Sequence, residues 1–330
     1  MNLICFDLEG PLSPQDNAYE LMKLFPNGDK VFEVISRYDD LLALEAREDY
    51  EPGDTLALIV PFLVLHNISE KDIATLATEA SLTDGAAQLI TWLQSKSWKV
   101  FCISTSYEQY AIHITHKLGI YAHNVACTPF PLDRFRITLC KEDSTLLQQT
   151  EQDILTMRPL DDDDRIKQRL DYFFWEELPA TDLGTAIKEV KPVGGRRKVA
   201  ALNKFAGTYE QPLSRWVVIG DSITDSKMLQ AVEGAGGLAI AFNANEYALP
   251  YSTMSLASTS ISDLMEVSEA WQKGGRERVE KIVKGKGKIG GMGDRGYFHW
   301  LSGSKEDIDK VIEVHKRIRR LVRQEAGKLG

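Results

Sequence analysis

The sequence predicts an α/β fold built on a parallel sheet. Apolar strand-like runs occur at residues 3–6, 99–103, 216–219 and 238–242, and stretches with helical periodicity separate them. Strands that alternate with helices favour parallel strands joined by crossover helices. Polar strings also follow three of these strands, and in open α/β sheets the functional residues lie beyond the carboxyl ends of the strands. The helical stretches are residues 84–96, 108–118, 197–205 and 225–232.

Three segments outside this alternation predict how the chain is divided. A Rossmann-like core would consist of residues 1–12 and 84–256. Residues 13–83 show helical periodicity and predict a helical cap inserted after the first strand. Residues 128–190 would form a second insert within the core, and residues 257–330 a basic, helical C-terminal extension.

The composition is that of a globular protein with a sizeable core. The chain has 330 residues, of which 43% are hydrophobic and 26% are charged; both values are usual for such proteins. No apolar stretch reaches the roughly 18 residues that cross a bilayer, and the first residues lack the pattern of a signal peptide. The four cysteines have no CxxC spacing, which favours reduced packing residues. We therefore expect a cytoplasmic protein with no membrane insertion.

Charge is unevenly distributed along the chain. The net charge is −9, yet the segment from Trp271 to the end holds 16 of the 39 basic residues and only 8 of the 48 acidic ones. A basic segment of this kind docks on an acidic body, an acidic partner protein or nucleic acid. Because the first 270 residues carry the opposite charge, we expect docking within or between proteins and no nucleic-acid partner.

Two patterns stand out in the basic extension. Residues 284–293 are interpreted as a glycine-rich basic loop, which does not match the GxxxxGK[ST] nucleotide loop. A final helix is predicted from Ser304, with Asp307 completing a capping box. Its apolar stripe predicts packing on the body, and a homodimer or protein-partner contact is the alternative. The stripe consists of Ile308, Val311, Ile312, Ile318, Leu321 and Val322.

The string FDLEG at residues 6–10 places two carboxylates at the end of the first strand. Side chains alternate along a strand, so Asp7 and Glu9 leave it on the same side. Two carboxylates there can hold a divalent cation and share the roles of nucleophile and proton donor. An ordinary strand that ends in a polar turn gives the same string, so the assignment depends on partners further along the chain.

Two later strings supply such partners. Ser104 and Thr105 follow the second strand and are predicted to open a helix, where hydroxyl groups and backbone amides bind phosphate oxygens. Helix capping is the alternative role for them. The string GDSITD at residues 220–225 follows the third strand. Asp221 would point at the sheet edge where a cation lies, and Asp225 would support it.

A basic segment between these strings offers the cation that such a site needs. Negative charge on a nucleophile and a phosphate calls for a positive side chain besides any metal. Lys198 opens a predicted helix and is our choice, while Lys191 and Arg196 are competitors. The acidic run at residues 161–164 is interpreted as a solvated turn rather than a metal site.

The order of these strings resembles that of the haloacid dehalogenase superfamily, and most closely that of its phosphoserine phosphatases. Residues 100–120 resemble the second motif with its helix, residues 219–225 the fourth motif, and residues 241–245 the strand that follows. The likeness covers residues 1–12 and about 84–256. The DxEG and GDSITD strings with the long basic tail are also similar to archaeal proteins labelled subunit R of energy-converting hydrogenase A.

The resemblance implies roles for the carboxylates. Asp7 would attack phosphorus and form an aspartyl-phosphate. Glu9 would protonate the leaving group and then activate water. A Mg²⁺ ion would be held by Asp7, the backbone carbonyl of Glu9, and Asp221, with Asp225 in support.

The resemblance also implies a substrate-binding set with two departures from the usual pattern. Ser104 and Thr105 would hold phosphate oxygens, and Lys198 would balance charge. Glu9 stands where the family usually has Asp, and residues 51–55 lack the arginine that binds a substrate carboxylate. We predict a Mg²⁺-dependent phosphatase or phosphotransferase for a small phosphorylated metabolite. The alternative is a non-catalytic or regulatory subunit of a hydrogenase-type complex that keeps the fold.

Overall fold

Seven strands in the described part of the chain form one sheet that is parallel except at one edge. The computed structural model describes residues 1–45, 47–303 and 307–323. The strand order is β3-β2-β1-β4-β5-β6-β7, and only β7 runs antiparallel to its neighbour. The predicted α/β fold with a parallel sheet is therefore confirmed. The strands are β1 (Asn2–Phe6), β2 (Trp98–Tyr107), β3 (Val125–Thr128), β4 (Trp216–Gly220), β5 (Leu238–Phe242), β6 (Met254–Ala257) and β7 (Tyr297–Trp300).

Helices cover the sheet and build the cap, the second insert and the extension. All four helical stretches expected in the core are present as α6, α7, α12 and α13. None of the described helices is long and apolar enough to cross a bilayer. The helices are α1 (Asn17–Met22), α2 (Gly28–Leu44), α3 (Thr55–Leu58), α4 (Val60–Leu65), α5 (Glu70–Glu79), α6 (Ala86–Ser95), α7 (Glu108–Lys117), α8 (Leu132–Ile137), α9 (Lys141–Ile154), α10 (Asp163–Tyr172), α11 (Asp182–Ile187), α12 (Arg196–Thr208), α13 (Ser226–Gly234), α14 (Leu264–Ile289) and α15 (Ile308–Arg323).

The central strand β1 is buried on both faces. Ile4 and Phe6 belong to the hydrophobic core on one side of the sheet, and Leu3 and Cys5 to the core on the other. This alternation with two apolar faces is what a parallel strand between two helical layers requires. The chain leaves β1 toward the cap, and β1 pairs with β2 on one side and β4 on the other. The carboxyl end of β1 therefore lies in the crevice where ligands bind in such sheets.

The second insert is helical and packs on the cap. Arg37 of α2 forms an ion pair with Asp163 of α10 at 2.5 Å, and the hydroxyl of Tyr38 donates a hydrogen bond to Asp171 at 2.7 Å. Asp163 belongs to the acidic run that the sequence suggested was a solvated turn. One carboxylate of that run instead joins the insert to the cap.

Residues 284–289 are not a loop, contrary to the interpretation from the sequence. They form the end of α14, which turns back on itself at Gly274 and Gly275. Gly275 has φ +60° and ψ −154°, a backbone conformation that suits glycine. The second half is held by buried Val279 and Val283, and an ion pair joins Lys286 to Glu266 across the turn at 2.8 Å. Amphipathic packing overrides the low helix propensity of the glycines.

The extension is part of the core sheet rather than an appendage. Strand β7 pairs with β6 in antiparallel register, so the boundary predicted at residue 256 cuts through the sheet. The helix α15 then packs on the body through Val311 and Ile318, as the apolar stripe predicted. Leu321 is 53% exposed, however, because the helix turns polar residues inward. The helix start predicted at Ser304 lies outside the described residues.

A buried histidine fixes α15 to the loop after β5. The backbone N–H of Ala244 donates to Nδ1 of His315 at 2.9 Å, and His315 has no solvent exposure. Burial, with smaller contributions from the charges of His299 and Arg319, lowers the pKa of His315 to about 3. The ring is therefore neutral in the folded protein over the physiological range.

Acidification is expected to reduce stability through His315. The folded-state pKa of His315, about 3, lies below the ordinary histidine pKa of 6.5. The unfolded chain thus binds a proton at a pH where the folded chain does not. The free energy of unfolding should fall by up to about 1.4 kcal/mol per pH unit below about pH 6.5. Urea unfolding of the wild type and of His315→Asn between about pH 7.5 and 5 measures this. The variant should show the flatter pH dependence, and equal slopes would contradict the assignment.

Candidate active site

Three carboxylates and one lysine meet at the carboxyl ends of β1 and β4. Asp7 follows β1, Asp221 and Asp225 follow β4, and Lys198 lies in the first turn of α12. One oxygen from each of the three carboxylates lies within 4.8 Å of the other two. Among the described residues they form the one group of three or more Asp, Glu, His or Cys side chains arranged to hold a metal ion. The topology thus brings distant strings of the sequence together.

Lys198 links two of these carboxylates. Its Nζ lies 2.8 Å from Oδ1 of Asp7 and 2.7 Å from Oδ1 of Asp225, and the side chain has no solvent exposure. Burial alone would lower the pKa of Lys198, but the carboxylates of Asp225 and Asp7 outweigh it and raise that pKa. Burial, followed by the charge of Asp225, raises the pKa of Asp7, and Lys198 opposes the increase. The lysine therefore stays charged where charge compensation is most needed.

The two competing cations lie elsewhere. Lys191 is exposed. Arg196 points to solvent with 68% of its side chain exposed and forms an ion pair with Glu51. Of the three cations weighed from the sequence, only Lys198 contacts Asp7 in the structure.

Asp225 uses both of its oxygens to organise the loop after β4. Its Oδ2 accepts hydrogen bonds from the backbone N–H groups of Asp221 at 3.0 Å and Ser222 at 3.2 Å, while Oδ1 accepts from Lys198. Gly220 allows this close approach, because a Cβ there would lie 2.5 Å from Cβ of Asp225. Asp225 is thus a positioning residue for Lys198 and for the backbone of Asp221.

The two oxygens of Asp221 differ in their contacts with the described part of the chain. Nη1 of Arg319 and Nη1 of Arg323, the latter at 2.9 Å, donate to Oδ2. Oδ1 is buried and has no hydrogen-bond partner among the described residues. The turn at Gly10 closes over this carboxylate. Gly10 has φ +97°, and a Cβ there would lie 2.4 Å from Oδ2 of Asp221, so both strain and space favour glycine.

Glu9 lies between the core and the cap. Its Oε1 accepts hydrogen bonds from the backbone N–H of Asn17 at 2.8 Å and from the hydroxyl of Ser106 at 2.7 Å. Burial, with a smaller contribution from the charge of Asp16, raises the pKa of Glu9 to about 7. A carboxyl group with such a pKa is suited to both giving and taking a proton near neutral pH.

Ser104 and Thr105 do not open a helix, contrary to the expectation from the sequence. The strand β2 continues to Tyr107 through an irregular pairing with β3, and α7 begins at Glu108. Ser104 is fully buried, and its Oγ accepts a hydrogen bond from the N–H of Ser106 at 3.0 Å. The hydroxyl of Thr105 donates to the carbonyl of Val193 at 3.2 Å. An irregular strand end, rather than a helix N-terminus, therefore faces the site.

A small cavity of about 100 Å³ joins the core to the cap at this point. The core contributes Asp7, Glu9, Thr105 and Asp221 to its wall, and Ser104 does not line it. The cap contributes Asp16, Ala18, Phe32, Ser36, Asp39, Asp40, Gly53, Thr55 and Leu56. A cavity of this size suits a small ligand.

Sequence reasoning missed Ser106, Asp16, Arg319 and Arg323. The hydroxyl of Ser106 holds Glu9, and Asp16 caps α1 beside it. Arg319 and Arg323 line the cavity from α15. The spacing of these arginines with His315 places all three on one helix face, but basic residues on a terminal helix ordinarily indicate a solvated surface.

Comparison with solved structures identifies the fold. The chain is similar over its whole length to the gene product AF1437 from Archaeoglobus fulgidus, with 29% identity, a TM-score of 0.85, and coverage of 100% of this chain and 99% of that chain. It is also similar to a phosphoserine phosphatase in its apo form, with 15% identity and a TM-score of 0.51 over 80% of this chain and 98% of that chain. No family model and no curated protein matches the sequence.

A third solved structure agrees with this result. A phosphoserine phosphatase captured as a phospho-aspartyl intermediate analogue aligns with 16% identity and a TM-score of 0.50, over 80% of this chain and 97% of that chain. The fold is therefore that of the phosphoserine phosphatases. Because the gene product AF1437 aligns with all of this chain, the likeness to it extends through the C-terminal extension.

Proposed function

We propose that the protein is a Mg²⁺-dependent phosphatase or phosphotransferase that acts on a small phosphorylated metabolite through an aspartyl-phosphate at Asp7. The observation that carries the proposal is the buried Lys198, bound at once to Asp7 and Asp225. A lysine held on a carboxylate in the wall of a cavity can offset the charge of an incoming phosphate. The fold that the chain shares with phosphoserine phosphatases supports phosphoryl chemistry at this end of the sheet.

In the first step, a carboxylate oxygen of Asp7 attacks phosphorus. The bond between Asp7 and phosphorus forms as the bond to the leaving-group oxygen breaks, and Glu9 gives its proton to that oxygen. Lys198 offsets charge on the phosphoryl oxygens. The hydrogen bonds from Asn17 and Ser106 fix Oε1 of Glu9, which leaves Oε2 to carry the proton.

In the second step, water attacks phosphorus and Glu9 takes up its proton. The bond between phosphorus and Asp7 breaks, inorganic phosphate leaves, and Asp7 returns to its ionised form. If an alcohol enters in place of water, the same step transfers the phosphoryl group to that alcohol. The cap side of the cavity would then decide which acceptor enters.

The residues at this site fit a Mg²⁺ ion. The donor set consists of oxygen atoms, which suits a hard cation. Oδ1 of Asp221 is a buried oxygen without a protein partner among the described residues, as expected of a metal ligand. Asp7 and Asp221, with the carbonyl of Glu9, would hold the ion, whereas Asp225 has both oxygens occupied. When bound, the ion would offset negative charge on the phosphoryl oxygens.

The cap favours a substrate other than phosphoserine. Among the described residues, no arginine from residues 13–83 lines the cavity. Arg47 stacks on Trp175 at 4.0 Å and pairs with Asp171 at 3.2 Å, away from the site. A cap with three acidic side chains in the cavity wall, Asp16, Asp39 and Asp40, differs in charge from one that binds a carboxylate.

An activity screen tests the proposed function. The full chain is incubated with Mg²⁺ and a panel of phosphorylated metabolites, with release of phosphate as the measurement. We expect hydrolysis of at least one member that stops when EDTA removes the cation and returns when Mg²⁺ is added back. No turnover across the panel and with aryl phosphates would contradict the proposal and favour the non-catalytic subunit.

Replacing Glu9 with Gln is expected to slow turnover by about 10²- to 10⁴-fold with an alkyl phosphate. The loss should be smaller for p-nitrophenyl phosphate in the first turnover, because p-nitrophenolate leaves without a proton. Rapid-quench measurement of both substrates checks the difference. Gln keeps the size of the side chain and an acceptor for the hydroxyl of Ser106. A loss of activity in this variant therefore does not reflect a change of side-chain volume. Equal losses with both leaving groups would remove Glu9 from the acid role.

A further inference from the structure

The C-terminal helix α15 places two arginines on a candidate metal ligand. Nη1 of Arg319 and Nη1 of Arg323 both donate to Oδ2 of Asp221. The arginine side chains are only 4% and 6% exposed, respectively. Nε of Arg323 also donates to the carbonyl of Pro14 at 3.1 Å, and Nη1 of Arg319 lies 3.3 Å from the carbonyl of Asn243. Both guanidinium groups are therefore held in fixed positions.

These contacts give the two oxygens of Asp221 different roles. Oδ2 is taken by the arginine pair, while Oδ1 has no partner among the described residues and stays available to a cation. The pair prevents the carboxylate from offering both oxygens to one ion. The arginine pair also places two fixed positive charges on the opposite side of the same carboxylate from that ion. Like charges at this separation in a buried site repel strongly.

A phosphate group reverses that effect. Arg323 lines the cavity, and its Nη2 donates no hydrogen bond to the described residues. An anion in the cavity would be attracted by Arg323 and by the cation together. The anion would also screen the repulsion between them. Cation and phosphate should consequently strengthen the binding of each other, and this coupling is reciprocal.

We propose that Arg319 and Arg323 are positioning residues that restrict Asp221 to one free oxygen and keep the affinity for Mg²⁺ low until phosphate is present. The proposal rests on the cation site of the proposed function. It makes α15 an integral part of the active site, and it gives the basic extension a role inside the molecule. The site would thus load its cation together with the phosphoryl group.

Calorimetric titration of the full chain with Mg²⁺ tests this, with and without inorganic phosphate. In the wild type, phosphate should increase the affinity for Mg²⁺ about tenfold or more. Arg323→Gln removes the charge and keeps a donor, so it should bind Mg²⁺ about tenfold more tightly without phosphate. The gain from phosphate should shrink in this variant. Arg323→Lys keeps the charge and should behave like the wild type.

Arg317→Gln is the matched control, because Arg317 lies on the same helix but pairs with Asp294 at the surface. It should leave the affinity for Mg²⁺ unchanged. Unchanged or weaker binding of Mg²⁺ by a folded Arg323→Gln, as judged by circular dichroism, would overturn the inference. If Arg323→Gln does not fold, the titration of the wild type is the test. An affinity of the wild type for Mg²⁺ that does not change when phosphate is added also overturns the inference. A wild type that binds no Mg²⁺ under either condition instead overturns the cation site of the proposed function.

Discussion

Replacing Asp7 with Asn is expected to reduce turnover by at least about 10⁴-fold, the scale seen when a covalent nucleophile is lost. Asn has almost the same shape but is a far weaker nucleophile. The contact of Lys198 with the side chain at position 7 loses its charge pairing, yet the partner Asp225 remains. Steady-state release of phosphate, from the best substrate of the panel or from p-nitrophenyl phosphate, measures the loss.

A second carboxylate of the same cavity provides the control for this substitution. Asp40 lines the cap side of the cavity and has no contact with Lys198. Asp40→Asn should leave the chemical step in a single turnover within about tenfold of the wild type, because Asp40 does not touch the reacting atoms. Turnover by Asp7→Asn at a rate similar to that of Asp40→Asn would show that the nucleophile is another group.

Replacing Lys198 with Met is expected to damage both stability and activity. The substitution keeps the length of the side chain but leaves Asp7 and Asp225 buried without their cation. Breaking a buried ion pair from one side costs about 3–5 kcal/mol. Loss of charge compensation at the phosphate should lower kcat by roughly 10²- to 10³-fold. Urea unfolding at pH 7.5 and single-turnover kinetics measure the two effects separately.

Two further measurements check the result for Lys198→Met: the pH dependence of its stability, and a matched variant at another lysine. An unpaired buried carboxylate is tolerated best when protonated. Because Lys198 opposes the burial that raises the pKa of Asp7, its loss should raise the folded-state pKa of Asp7 further. The stability deficit should therefore be greatest at neutral pH and shrink as the pH falls. Lys191→Met removes an exposed lysine from the same basic segment and should change neither stability nor kcat appreciably. A dominant loss of activity at Lys191 would refute the placement of the cation.

The core could be predicted because its signals are local. Each core strand that the sequence predicted is a short apolar run, and the strings that carry Asp7 and Asp221 follow β1 and β4 directly. A parallel sheet with short connections brings the ends of adjacent strands together, so these two residues meet without further information. The order of the strings along the chain was thus enough to indicate their proximity.

The contribution of the extension could not be predicted, because it depends on distant contacts. Strand β7 forms because it pairs with β6. The end of α14 is held by buried Val283 and by the ion pair of Lys286 with Glu266, which lies twenty residues earlier in the sequence. No local pattern marks Arg319 and Arg323 as buried. Their environment is created by a carboxylate that lies about a hundred positions earlier in the sequence.

The end of β2 shows a different limit. Ser104 and Thr105 have the composition of a helix N-terminus, and the hydroxyl of Ser104 does make a local hydrogen bond, with the N–H of Ser106. The backbone nevertheless stays extended to Tyr107, because β3 continues to pair there. Tertiary pairing can override a local capping preference.

Chemical trapping shows whether Asp7 carries the phosphoryl group during turnover. An aspartyl-phosphate is reduced by borohydride to homoserine, which peptide mass spectrometry locates in the chain. Protein quenched with borohydride during turnover should contain homoserine at position 7, and Asp7→Asn treated in the same way should contain none. Wild-type protein that turns over substrate yet yields no modification at Asp7, or yields it at another carboxylate, would show that Asp7 is not the nucleophile.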